Sequence, residues 1–100
     1  MKDGKIELGG PLADELGFTP NKFDGYLWKR GNEMWISFIR SKQENNGNLS
    51  RLFEEIWSRG FVICVPTPFA KMQSILIRKG FKQTFQWEEV PKENVEVWKK

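Results

Sequence analysis

The chain has 100 residues, 39% hydrophobic and 14% aromatic, and its sixteen Lys or Arg against thirteen Asp or Glu leave a net charge of +3. That length suits one domain with one core, expected over 1–100, and acids scattered among the bases give no broad basic stripe for nucleic acid. With no His and with Cys64 alone, a Cys/His zinc site, a Ser-His-Asp triad and an intramolecular disulfide are excluded, and no metal site is expected.

The opening MKDGKIELGG lacks the apolar stretch of a secretory signal. No window approaches the roughly 20 apolar residues of a membrane span, so a soluble, cytoplasmic protein is expected. Lys5 to Leu8 reads as a short edge strand. Gly9, Gly10 and Pro11 then break the chain, and Leu12 to Leu16 make a short helix capped by Gly17. GYLWKR and EMWISFIR are strand-like runs joined by Gly31-Asn32, a pair suited to a two-residue hairpin turn. Pairing Arg30 with Glu33 sets Trp28 opposite Trp35, Leu27 opposite Ile36 and Tyr26 opposite Ser37. One face then carries Tyr26, Trp28 and Trp35, and the other Leu27, Met34, Ile36 and Phe38. A sheet apolar on both faces wants cover on both.

After the loop SKQENNGN, the apolar residues Leu49, Leu52, Phe53, Ile56 and Trp57 are spaced as on an amphipathic helix, which Gly60 ends. FVICV is a buried strand, and the strand, helix, strand order implies a crossover and hence a mixed sheet. Phe69, Met72, Ile75 and Leu76 form the stripe of a further helix. FKQTFQWEEV is the last expected strand, with Phe81, Gln83, Phe85 and Trp87 alternating against more polar neighbours. The mixed-sign ends, around Lys2 and Lys5 and over Lys92–Lys100, read as solvated termini. The expected fold is α/β (α+β), a single mixed sheet with helices on both faces, in the order β-α-β-β-α-β-α-β.

The segment from Trp35 to Phe81, with WISFIRS, GNLSRLF, FVICV and LIRKGF in that order, resembles the cofactor-binding half of the GNAT superfamily of N-acetyltransferases, in particular its short, phage-type members. GNLSRLF is similar to the family's G-x-G-s-x-L-L loop, and LIRKGF to its helix-ending Y-x-x-x-G-F. The resemblance implies an acetyl-CoA site with an unknown amine as acceptor. Helix N–H groups at Asn45, Asn46, Gly47, Asn48, Leu49 and Ser50 would face the pyrophosphate, and strand backbone at Ile39 and Ser41 would hold the rest. Carried over by position, the family's Gln/Arg falls on Glu44, with Gln43 beside it, its second small residue on Leu49, and its general-acid tyrosine on Leu76.

Those departures leave two weak catalytic candidates. Tyr26 is the only phenol, which packing beside Trp28 also explains, and Glu33 is a potential base whose neighbour Arg30 also suits a plain ion pair. Cys64, between Ile63 and Val65, reads as a buried inert thiol. The alternative to the enzyme is a non-catalytic module that keeps the fold and self-associates through the Trp-rich hairpin face as a homodimer, or binds another protein there. A third reading, a ferredoxin-like sheet stacking bases on Tyr26, Trp28 and Trp35 with Lys29 and Arg40 on phosphate, fits the C-terminal elements poorly.

Overall fold

The computed structural model describes residues 3–42 and 47–100. These form six strands and three helices, an α+β fold, in the order β1 (Gly4–Glu7), α1 (Pro11–Leu16), β2 (Phe23–Arg30), β3 (Glu33–Ser41), α2 (Asn48–Ser58), β4 (Val62–Pro66), α3 (Ala70–Arg78), β5 (Lys82–Glu88) and β6 (Glu93–Lys99). The chain divides into two compact units, Met1–Ile63 and Cys64–Lys100. Among the described residues, no helix is long and apolar enough to cross a membrane.

In the first unit β1, β2 and β3 form an antiparallel ladder, with α1 against β1 and α2, and α2 against β3. Gly31, at φ 61°, turns the hairpin, and Arg30 pairs with Glu33 and Trp28 with Trp35 as the turn chemistry predicts. Beyond that point the register departs from expectation. Tyr26 pairs with Phe38 instead of Ser37, because two residues of β3, Ile36 and Ser37, lie opposite Leu27 alone. This bulge moves Phe38 from the face of Leu27 to the face of Tyr26 and Trp28. Gly25 makes it possible. Its φ is 116°, and a Cβ there would overlap the carbonyl of Phe38.

The face of Leu27, Met34 and Ile36 is fully buried, as are Ala13, Leu16 and Phe18 on and after α1 and Leu52, Phe53 and Ile56 on α2. The rings of Phe18 and Phe23 lie 5.5 Å apart, and Phe53 meets Trp57 edge-on at 5.9 Å. Lys29 is buried in the same unit, 7% exposed. It survives there because its ammonium donates to Asp3 Oδ1 at 2.9 Å, which also accepts the Gly31 N–H at 3.0 Å. The Lys29 hydrogen bond, then the Gly31 N–H, holds the Asp3 carboxyl below the usual aspartate value. The sign follows from linkage. A lowered native pKa adds stability that is complete above the unfolded value, about pH 4, and is lost as pH falls through the native one. Thermal unfolding followed from pH 6 to pH 2 should therefore show a smaller acid loss in Asp3→Asn than in the parent chain.

In the second unit the order is β4-β6-β5. β6 pairs antiparallel with β4 (Val65 with Trp98) and with β5 (Thr84 with Val97). This corrects the reading of 92–100 as a solvated tail and adds one strand to the expected order. Val97 is fully buried, and so is Leu76 on α3, with Phe81 and Trp98 nearly so. The α3 stripe is narrower than its spacing suggests, since Phe69 stands at the N-cap and is 89% exposed. Phe85 and Trp87 point outward at 66% and 54% exposure, and no residue of β5 is buried, Gln86 and Glu88 being half-buried. Cys64 is buried, as expected.

Candidate functional site

The loop into α2 ends on Gly47, at φ 74° and ψ 11°, a left-handed N-cap with no side-chain cap bond. Its carbonyl accepts the first helical bond, from the Arg51 N–H at 3.0 Å. The N–H groups ahead of that point have no carbonyl within the helix, which makes any such start a partial positive charge. Helices usually answer that charge with an acid in the first turn. α2 has none there and carries Arg51 instead, a cation set against the dipole.

Arg51 is held in that position. Its Nη2 donates to Asn48 Oδ1 at 2.6 Å, and its Nη1 lies 3.2 Å from where a Cβ on Gly47 would stand. Asn48 is 5% exposed, so its side chain belongs to the interior and positions the guanidinium from below, while its Nδ2 is buried with no partner. Donors thus gather at the helix start: backbone N–H groups, a guanidinium and an orphaned amide. That donor set fits an anion of the phosphate class.

Of the expected cofactor residues, Gly47, Asn48, Leu49 and Ser50 are consecutive across this cap and first turn, with Leu49 and Ser50 half-buried. Asn45 and Asn46, and with them Gln43 and Glu44, lie outside the described residues. Ile39 and Ser41 are half-buried on β3, paired with Gly25 and Phe23. Arg51 escaped the sequence reading; its signal was a basic residue in a first turn without an acid.

The two catalytic candidates are not brought together. They share a face of the hairpin, but Tyr26 stands four ladder steps from Arg30, the partner of Glu33, roughly 13 Å at the rise of a strand. Glu33 accepts the Trp35 indole N–H at 3.0 Å. Tyr26 lies beneath the Lys5 ammonium, 4.7 Å from its ring centroid. A shallow pocket of about 510 Å³ opens here, lined by Lys5, Glu7, Leu8, Gly25, Tyr26 and Phe38.

The base-stacking arrangement is not met. Trp35 is 5% exposed under the Arg30 guanidinium, 4.6 Å from its ring. Lys29 is engaged by Asp3, and Arg40 donates to Asp24 at 2.6 Å. Among the described residues, no three Asp, Glu or Cys stand together as a metal site would require. No protein-family model, curated protein or solved structure matches the chain.

Proposed function

We propose that the chain is a minimal GNAT-like domain, one mixed sheet with helices on both faces, whose α2 start binds the pyrophosphate of acetyl-CoA for transfer of the acetyl group to an amine. The observation that carries the reading is Arg51, a guanidinium held by a buried Asn48 against the positive end of a helix with no side-chain cap and no acid in its first turn. A cation near a helix N-terminus is opposed by the helix dipole by a few tenths to about 1 kcal/mol, and a bound anion reverses the sign of the local interaction. Acetyl-CoA bound there would supply an activated thioester. The chain's own part is to hold and orient, since neither Tyr26 nor Glu33 has the other within reach, and orientation alone carries several kcal/mol of a barrier.

Calorimetric titration with acetyl-CoA and with CoA tests this. The parent chain should bind both, and Arg51→Glu should weaken both at least about tenfold, the loss of one charge-assisted contact and its replacement by repulsion. Glutamate suits the helix dipole, so Arg51→Glu should unfold at nearly the parent temperature, which separates binding from folding. Absence of heat from the parent chain at about 1 mM ligand would sink the reading.

A second reading, a module that keeps this framework without catalysis, draws on one observation. Trp28 and Phe38 are 41% and 59% exposed on one face of the hairpin, and large exposed aromatics are typical interface anchors. Silence toward CoA would leave this reading standing.

A further inference from the structure

β5 is the outermost strand of the second unit, paired with β6 along all seven residues from Lys82 to Glu88. Its other side is a sheet edge, and natural proteins usually blunt such edges with proline, a bulge or an inward charge. Proline and a bulge are both absent from the stretch, whose register with β6 is continuous, and its two charges, Lys82 and Glu88, stand only at its ends.

Charge is distributed along this ladder in an unusual way. At one end Lys82 stands opposite Lys99, and at the other Glu88 stands opposite Glu93. Like charges directly opposite one another weaken a strand pair, and here both ends carry such a pair, of opposite sign. The edge is therefore basic at its start and acidic at its finish. A strand laid against it antiparallel is best matched if it is acidic where β5 is basic and basic where β5 is acidic. β5 is itself such a strand.

We propose that two copies of this chain associate edge to edge through β5, antiparallel, with Phe85 of each copy opposite Phe85 of the other. The register is dictated by two conditions. Opposed residues of a continuous sheet share a face, so odd numbers pair with odd and even with even. Among registers that obey this, only the one centred on Phe85 places Lys82 of each copy opposite Glu88 of the other. It also sets Gln83 against Trp87 and Thr84 against Gln86. Trp87 of each copy then lies diagonal to Phe85 of the other, within reach across the new ladder, so the exposed side chains of Phe85 and Trp87 form one aromatic row on one face of the joined sheet. The inference rests on neither reading of the α2 start, and the interface is separate from the hairpin face of Trp28.

Sedimentation equilibrium on the whole chain, over concentrations up to about 1 mM, tests it with two single substitutions. The parent chain should show a reversible dimer. Lys82→Glu alone and Glu88→Lys alone each convert both cross-copy ion pairs into repulsions, and each should raise the dimer dissociation constant at least about tenfold. An equimolar mixture of the two variants should regain parent-like association as a one-to-one heterodimer, because both cross-copy pairs are again of opposite sign. Regained association also shows that each variant is folded. A parent chain that stays monomeric throughout, a dimer indifferent to both substitutions, or variants that remain apart on mixing would each overturn the proposal.

Discussion

Gly25→Ala is expected to lower the unfolding free energy by at least about 3 kcal/mol, a large share of a small domain's stability. Two costs combine. The backbone at φ 116° is closed to ordinary side chains, and the added methyl would overlap the carbonyl of Phe38. That obstacle is main chain, which cannot rotate aside. Gly31→Ala is the control. It also has positive φ, at 61°, but a Cβ there meets nothing within 4 Å, so it should cost about 1 kcal/mol. Urea unfolding of the two variants reads the difference. Equal costs would mean that β3 can lose its bulge and slide back into plain register, with Phe38 returning to the face of Leu27. Because Gly25 and Phe38 line the pocket beside Tyr26, a variant that survives in slipped register would also lose that pocket.

The same bulge shows where sequence patterns stop being informative. Gly31-Asn32 announces the hairpin, and the first two pairs follow from turn geometry alone. The extra residue in β3 leaves no mark on β3, since Ile36-Ser37-Phe38 alternates as cleanly as an unbroken strand would. The mark lies across the ladder, where Gly25 sits inside β2 with no turn to explain it, and a glycine within a strand points to a bulge or a close backbone approach. α2 was legible because Leu52, Phe53 and Ile56 repeat at helical spacing and are all buried. Its functional feature was not, because a lone arginine is ordinary until the helix start is fixed and its first turn proves to lack an acid. Spacing put Phe69 on the stripe of α3 and Phe85 and Trp87 on the apolar side of the last expected strand. Their exposure follows from position: Phe69 precedes the first turn of α3, and Phe85 and Trp87 stand on an edge strand of which no residue is buried.

β6 was the largest omission, and the physical reason yields the second large effect. Glu93, Glu96, Lys99 and Lys100 make the C-terminal stretch look solvated, yet Val95 and Val97 recur at the period of two that a half-buried strand requires. Val97 is the residue on which that distinction turns. It lies between Pro66 on β4 and Thr84 on β5, with neighbours on both sides, and is fully buried. Val97→Asp would place a carboxylate at this fully buried position, which should cost more than about 4 kcal/mol and leave the second unit largely unfolded. Glu93→Gln, at the exposed start of the same strand and opposite Glu88, removes a like-charge contact and should change stability by no more than about 0.5 kcal/mol. A solvated tail would treat the two substitutions alike. Amide hydrogen exchange resolves them: protection across Cys64–Pro66 and Lys82–Glu88 should collapse in Val97→Asp and persist in Glu93→Gln. Because β6 supplies the inner partner of β5, the same collapse should abolish any dimer formed along the β5 edge.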